Sequence, residues 1–379
     1  MEIKALNVYP IKALRPVPLT SAILTPQGIL HDRTYMLFKV NEDSSLRKLQ
    51  LSSCPQTALF SQEIVSSTET SSGTDDGSGD TILVKYHIPS PPLVPHDPLQ
   101  ETTLSVPLVP DTAALVPIQI DLHGSPADAL RMGDPYDAFF SACLGFPTIL
   151  VHIGSGRRPV LGTLAPGSAS SPQTSSSSLF SSITSYLPSF SSPSNAQKPW
   201  LTFTDCAPYL ITSSSSLTHP SLTSFSSTTN TPNPAIMPKM RPNIVVYDPS
   251  EAPFAEDFWA ELSLPSSGGA KLLLTANCGR CASLNVDYAT GRPAAGPEGK
   301  LLNALMKERR VDPGHKYAPV FGRYAFLDVG GADAGPTPGI RVRVGDEVAV
   351  TRRNAERTVF DWPLGAAAPK KANNTVAVA

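Results

Sequence analysis

The stretch KLLLTANCGRCASLNVD, residues 271–287, holds the only two cysteines that lie close together in the sequence, Cys278 and Cys281. The apolar run before the pair predicts a strand, and the run after it has a second strand-like pattern. A zinc finger or knuckle needs two more ligands at similar spacing, which the sequence lacks. A thioredoxin-like pair would start a helix, which the strand-like continuation does not favour. Two structural cysteines in a turn are therefore the simplest interpretation of the residues alone.

Arg280 lies between the two cysteines and keeps a second interpretation open. A neighbouring cation favours the thiolate form of cysteine, which is the form that binds soft metals. The same stretch is therefore also a candidate metal site.

Composition excludes several classes of function. The 379 residues are enough for two to three domains, and the net charge of -2 with no long Lys/Arg run argues against a nucleic-acid surface. No uncharged apolar run approaches the roughly 18–20 residues of a membrane span, and charged residues interrupt the N-terminal MEIKALNVYPIKAL, so we expect neither a span nor a signal peptide. The cysteines number five, an odd count, and most of them are isolated, which predicts a reducing, cytoplasmic compartment.

The distribution of Ser and Pro divides the chain. Between Arg158 and Lys198 there is no charged side chain, and such a Ser-rich segment cannot bury enough apolar surface to fold. The expected order is a strand-rich domain over 1–155 with partly low-complexity sequence at 65–98, a disordered insertion over 156–199, a second domain over 200–364 with a long loop at 213–238, and a disordered tail over 365–379.

Periodicity predicts a strand-rich α+β fold with a few short helices. Strands are predicted over 2–8, over a hairpin in 22–40 that turns at Pro26–Gly28, over YAFLDV (324–329), and over 340–353 with a tight turn at Gly345-Asp346. Helices are predicted over 136–144, between Asp134 and Gly145 as caps, and more briefly over Phe254–Leu262 and Gly299–Arg309.

Several short motifs occur together in a fixed order. They are YPIKAL (9–14), GILHDRTYML (28–37), MGDPYDAFFSACLG (132–145), LTFTDCAPYLITS (201–213), MRPNIVV (240–246) with PFAEDFW (253–259), CGRCASLNVDYATG (278–291), PVFGRYAFLDV (319–329) and IRVRVGDEVAV (340–350). In this order they resemble the MOSC family, named for the C-terminal domain of molybdenum-cofactor sulfurases, and within it the branch of the mitochondrial amidoxime-reducing component. The resemblance implies a MOSC β-barrel core preceded by an N-terminal β-barrel-like domain.

The resemblance also implies a molybdenum–molybdopterin site. It places the metal-binding thiolate at Cys281 and leaves Cys278 as a structural residue. Phosphate and pterin contacts are implied at the cations and polar residues of the motifs, and Asp205 is implied to orient the pterin or the substrate, although capping a loop would explain it equally well. The implied cofactor-binding residues are Lys12, Arg33, Arg241, Asn243, Arg280 and Tyr324.

Two positions depart from the family pattern. Ala13 stands where relatives often have serine, and Cys206-Ala207 stands where they have a threonine-serine pair. Both changes remove hydroxyl groups, which would loosen cofactor binding or alter the substrate.

The resemblance implies an oxidoreductase that reduces small N-hydroxylated substrates by oxygen transfer to molybdenum. No iron–sulfur or nucleotide motif is present, so electrons would come from an external b-type cytochrome and its NADH-dependent reductase, with a mitochondrial surface as a second possible location. Three alternatives stay open: a cofactor or sulfur carrier with a persulfide on Cys281, a pyridoxal-phosphate-associated module in which Lys12 is a candidate only by elimination, and a family member that binds nothing.

Overall fold

The computed structural model describes residues 1–66, 79–168, 198–230, 232–328 and 339–363. These ranges contain 23 strands, four α-helices and several 3-10 helices, so the strand-rich α+β class is confirmed. The strands are β1 Glu2–Val8, β2 Val17–Leu19, β3 Ser21–Thr25, β4 Gly28–Ile29, β5 Tyr35–Val40, β6 Leu46–Lys48, β7 Phe60–Val65, β8 Thr81–Tyr86, β9 Thr103–Pro107, β10 Val116–Leu122, β11 Ser125–Arg131, β12 Thr148–His152, β13 Arg158–Pro159, β14 Trp200–Leu201, β15 Tyr209–Ser213, β16 Ile244–Tyr247, β17 Trp259–Leu264, β18 Ala270–Gly279, β19 Val286–Asp287, β20 Arg292–Pro293, β21 Val320–Leu327, β22 Ile340–Arg343 and β23 Ala349–Arg353. The α-helices are α1 Tyr136–Leu144, α2 Pro220–Thr229, α3 Asn233–Met240 and α4 Leu301–Met306.

The largest sheet has eight strands in the order β2-β1-β16-β15-β21-β18-β17-β23. The start of β1 meets the residues just before β23, because the amide of Ile3 donates to the carbonyl of Asp346 and the amide of Val348 donates to the carbonyl of Met1. Residues of alternating strand positions, such as Leu272 and Leu274 of β18, point into one apolar core. The sheet therefore closes as a barrel around that core.

The N-terminal half builds a second unit from a five-stranded sheet, β10-β11-β12-β5-β6, and a three-stranded sheet, β7-β8-β9. Helix α1 packs between them, and its Phe139 and Phe140 rings lie 6.3 and 5.4 Å from the ring of Phe60. These aromatic side chains are fully buried, so they anchor the core of this unit.

The two halves of the chain share strands. β1 pairs antiparallel with β16 in the barrel, and β22 pairs antiparallel with β3 in a separate small sheet. The first strands of the chain thus complete the sheets of its second half. A boundary at residue 155 does not separate two independent sheet systems.

The predicted helix over 136–144 is confirmed as α1. The carboxylate of Asp134 accepts a hydrogen bond from the amide of Ala138, and Gly145 ends the helix with φ +77°. Strand β1 and the hairpin turn at residues 26–27 are also confirmed, although the second hairpin strand, β4, has only two residues. The helix predicted over 299–309 is shorter, since α4 spans Leu301–Met306 after a 3-10 turn.

The prediction of a long loop over 213–238 is wrong, because α2 and α3 occupy most of this segment. Pro220 begins α2 after the cap of His219, and the buried side chains of Leu222 and Ile236 pack against the α4 region. The few apolar residues of these helices are spaced among many Ser and Thr residues, so the sequence pattern does not indicate a helix. The tertiary contacts supply the stability that helix propensity does not.

Two further expectations are corrected. The helix predicted over Phe254–Leu262 is a 3-10 turn followed by strand β17, whose pairing with β18 overrides the apparent helical spacing. The run after Cys281 begins with a 3-10 helix, Ala282–Asn285, before the short strand β19. Part of the expected insertion is ordered, since Arg158–Pro159 pairs with Trp200–Leu201. Residues 169–197 of that insertion and the tail from 365 lie outside the described residues.

In the part of the chain that the structure describes, no helix has the length and apolar character needed to cross a membrane.

Glu256 is a fully buried carboxyl group behind the barrel. Both of its oxygens accept from the hydroxyl of Ser216, at 2.8 and 2.7 Å. Burial raises the pKa of Glu256 from 4.5 to about 7, with a further rise from the neighbouring Asp257 and an opposing effect of Ser216. The folded protein therefore binds a proton at Glu256 more tightly than the unfolded chain does.

Replacing Glu256 by Gln tests this linkage. A raised folded pKa means that the stabilisation by Glu256 is present below about pH 4.5 and is lost as the pH rises to about 7. We expect E256Q to gain roughly 3 kcal/mol of unfolding free energy relative to wild type between pH 5 and pH 8. Urea unfolding at both pH values measures the unfolding free energy of the two proteins. Glu347→Gln is the control, because Glu347 is exposed. Parallel pH curves for wild type and E256Q would contradict the burial effect.

Candidate functional site

An open cleft lies where the barrel meets the N-terminal unit. Its walls come from the loop after β1, the turn before β5, the loop before β15, the end of α3, the turn after β18 and strand β21. All eight residues predicted for the site line it. They are Lys12, Arg33, Asp205, Arg241, Asn243, Arg280, Cys281 and Tyr324.

Lys12 and Asp205 form the polar floor of the cleft. The Lys12 Nζ atom is 2.5 Å from Asp205 Oδ1 and 2.8 Å from the carbonyl oxygen of Phe203. Burial lowers the pKa of Lys12 to about 8, although Asp205 opposes the shift. Burial acts to raise the pKa of Asp205, but Lys12 and His123 together hold it well below its ordinary value. The floor is therefore a carboxylate paired with an ammonium group that can release a proton near neutral pH.

Two guanidinium groups share one aromatic ring. The Cζ atoms of Arg33 and Arg241 each lie 4.5 Å from the centroid of the Tyr9 ring, which is fully buried. Arg33 and Arg241 both have left-handed backbone conformations, with φ +51° and +55°. In each case a sharp bend of the chain directs a long cation toward the cleft.

Arg33 is fixed by its neighbours more firmly than a surface ion pair would be. Asp32, which is buried, accepts from Arg33 Nη1 and also from the amide of Tyr9. The side-chain oxygen of Asn243 accepts from Arg33 Nη1 and from the amide of Leu210, both at 3.1 Å. Asn243 thus contributes mainly by positioning Arg33.

Three buried polar atoms of the cleft have no hydrogen-bond partner among the described residues. They are Thr204 Oγ1, Arg241 Nη1 and Arg280 Nε. A buried donor without an acceptor is costly, and two of these donors are cationic. The cleft therefore fits a ligand that brings anionic and polar acceptors, such as a phosphate or a pterin.

The turn after β18 separates the two cysteines. Cys281 is exposed at the cleft, with its Sγ 3.2 Å from Ser283 Oγ. Cys278 is buried, and its Sγ accepts from Arg280 Nη1 at 3.1 Å, while Arg280 Nη2 donates to the carbonyl of Met240. Burial raises the pKa of the Cys278 thiol, although Arg280 opposes the rise. Cys281 is accordingly the thiol that is open to a ligand.

Gly279 lets the turn pack tightly. A Cβ atom there would lie 2.5 Å from Nδ1 of His315, whose Nε2 is 3.2 Å from the amide of Gly279. The His315 ring stacks on Phe360 at 3.9 Å. The cysteine turn is thus supported from behind. Tyr324 lines the cleft in the adjacent strand, and burial raises the pKa of its hydroxyl well above the ordinary value.

Several polar residues of this region were absent from the sequence predictions. Gln50, Ser52 and Thr204 line the cleft, and His123 lies 3.4 Å from Asp205. The His-Gly pair at 123–124, between two alternating runs, is a hairpin-turn signal that could have drawn attention to His123.

Among the described residues, no three His, Cys, Asp or Glu side chains come together as ligands for a metal ion. A metal bound to Cys281 would therefore need its other ligands from a cofactor. A molybdopterin supplies such ligands through its own sulfur atoms, so the donor set of the cleft is compatible with it.

Two family models match the chain. The model described as the MOSC N-terminal beta barrel domain matches residues 1–147, and the model described as the MOSC domain matches residues 198–349. Together they cover most of the sequence, so the chain belongs to the MOSC-domain proteins. MOSC domains are associated with molybdenum-cofactor sulfurase-like proteins and with molybdenum-cofactor binding in general. No curated protein matches the chain at a significant level.

Replacing Lys12 by Met tests the electrostatics of the floor. Without the ammonium group, the charge and the hydrogen bond with which Lys12 lowers the pKa of Asp205 are lost, so this pKa should rise. Carboxyl ¹³C NMR titration measures the pKa of Asp205, and the Asp205 signal is assigned by its loss in Asp205→Asn. Lys39→Met is the control, because Lys39 lies over the ring of Phe146. An unchanged Asp205 titration in K12M would show that the pair does not set this pKa.

Proposed function

We propose that this MOSC-domain protein holds a molybdenum cofactor in the cleft and is an oxidoreductase that reduces small N-hydroxylated compounds. One observation carries the proposal: an exposed thiol, Cys281, lies in a cleft that also contains buried cationic donors without partners, at Arg241 and Arg280. A soft ligand and a set of anion-binding groups together match a metal cofactor with an anionic tail.

The chain's own residues would divide the work of binding. Cys281 would bind the metal as a thiolate. Arg33, Arg241 and Lys12 would hold the phosphate and pterin, since an Arg fork and a Lys point charge both suit phosphate oxygens. Arg280 would keep its bonds to Cys278 and Met240 and offer its free Nε to the cofactor.

When bound, the cofactor would supply the two-electron chemistry of oxygen removal. The overall reaction converts R–NH–OH, two electrons and two protons into R–NH2 and water. Asp205 remains ionised in the cleft and would accept a hydrogen bond from the substrate.

The electrons must come from another protein in this proposal, because the sequence has no Cys cluster for an iron–sulfur centre and no nucleotide-binding motif. A b-type cytochrome with an NADH-dependent reductase would fill that role.

A cofactor or sulfur carrier is the second candidate. The exposure of Cys281 at an open cleft also suits a persulfide that is passed on without turnover. Elemental analysis of protein from a host that makes the cofactor separates the two: molybdenum with reduction of an N-hydroxyamidine supports the enzyme, and sulfane sulfur without molybdenum supports the carrier.

Replacing Cys281 by Ser should abolish molybdenum retention and the reduction of N-hydroxybenzamidine, because a hydroxyl is a poor ligand for a soft metal site. Cys278→Ser is the matched control in the same turn and should keep most of its molybdenum. Metal content by mass spectrometry and turnover with an artificial electron donor measure both. Full metal occupancy in C281S would overturn the assignment.

A further inference from the structure

A hairpin tip from the N-terminal half of the chain reaches the cleft beside Asp205. β10 and β11 pair as far as Leu122 and Ser125, so His123 and Gly124 form a two-residue turn. Both have left-handed conformations, with φ +60° and +76°, as in a type I′ turn. The His123 side chain is mostly buried, with 19% exposed.

The imidazole faces two partners from different parts of the chain. His123 Nε2 lies 3.4 Å from Asp205 Oδ1 and 3.2 Å from the side-chain nitrogen of Gln50. The ionised Asp205 favours a proton on Nε2, which then donates to Oδ1. As placed, the amide nitrogen of Gln50 is a second donor beside that N–H. When the Gln50 amide is turned so that its oxygen faces Nε2, the single N–H is shared between Asp205 Oδ1 and the Gln50 oxygen.

Asp205 has an asymmetric environment as a result. Its Oδ1 accepts from Lys12 Nζ and from His123 Nε2, whereas Oδ2 has no hydrogen-bond partner in the described ranges. Two donors on one oxygen restrict rotation of the carboxylate. They leave the second oxygen as an acceptor on a side chain that is 47% exposed.

The backbone of the turn is held on both sides. The indole nitrogen of Trp362 donates to the carbonyl of His123 at 2.9 Å. Arg158 donates to the carbonyls of Leu122 and Ser125, at 2.8 and 3.1 Å. The imidazole is therefore presented to Asp205 by a rigid turn.

We infer that His123 is a positioning residue for the substrate: by holding Oδ1 of Asp205, it keeps Oδ2 directed to the N–H donors of the N-hydroxylated compound. This inference rests on the proposed function, because it assigns Asp205 to that substrate. An amidine or hydroxylamine nitrogen offers N–H donors that match a fixed carboxylate oxygen.

Two substitutions of His123 distinguish a role of its side-chain N–H donor from a role of its backbone conformation in the turn. Asn tolerates a left-handed φ well, but its amide is too short to replace the Nε2 atom. Gln is less suited to a left-handed φ, but its amide nitrogen reaches about as far as Nε2. A role in the turn alone ranks Asn above Gln, and a role through Asp205 ranks Gln above Asn.

With the molybdenum-loaded protein, N-hydroxybenzamidine as substrate and reduced methyl viologen as donor, we expect His123→Asn to raise KM about tenfold with little change in kcat. His123→Gln should recover most of the affinity. The exposed Asp128→Asn, on the same hairpin, is the control and should match wild type. Molybdenum content should be equal in all four proteins.

Titration calorimetry with benzamidinium gives a readout without turnover, because this cation also offers N–H donors to Asp205. Binding should weaken in the order wild type, H123Q, H123N. Equal KM and benzamidinium affinity in all variants, or Asn outranking Gln, would overturn the positioning role and leave the reaction intact. Benzamidinium binding that follows the expected order, with no reduction by any variant, would retain the positioning role and overturn the proposed reaction.

Discussion

A buried guanidinium group joins the two halves of the chain at the edge of the cleft. Arg158 is fully buried and donates to the carbonyls of Leu122 and Ser125 on one side and of Thr202 and Thr204 on the other. Burial lowers the pKa of Arg158 to about 10, so the group stays charged at neutral pH. A buried cation without such acceptors would be strongly destabilising. The carbonyl frame must therefore form around it, and that frame fixes the residues next to it in the cleft.

Two of the four cations of the cleft, Arg241 and Arg280, are held in place without a carboxylate. Arg241 relies on the ring of Tyr9, and Arg280 on a thiol and a backbone carbonyl. Asp32 compensates Arg33, and Asp205 compensates Lys12. The remaining positive charge is not matched by side chains of the described residues that line the cleft. Such a distribution suits an anionic ligand and keeps the positions of the cations when no ligand is bound.

The motifs predicted the members of the cleft well because several of them end a strand or make a turn at the cleft. Cys281, Arg241 and Asp205 could be found in this way. The turn at His123 has a local signal, but the contact of His123 with Asp205 and those of Arg158 with Thr202 and Thr204 could not be predicted, since they join residues separated by 82, 44 and 46 positions. Composition misled for the segment over 213–238, where a few buried apolar side chains outweigh a Ser/Thr-rich surface. Local sequence patterns indicate secondary-structure propensity, whereas the contacts of His123 and Arg158 and the helices over 213–238 depend on tertiary packing.

The sharing of strands between the halves has a consequence for the order of assembly. β1 needs β16 as a partner, and β3 needs β22, which is more than 300 residues further along the chain. Contacts over such separations form slowly, because a long loop must close before they stabilise the fold. During synthesis the first strands therefore wait with unpaired edges until late segments emerge, a state that favours chaperone binding. The cleft, which both halves build, comes into existence only at that last stage, so any cofactor must be inserted after the polypeptide has been made.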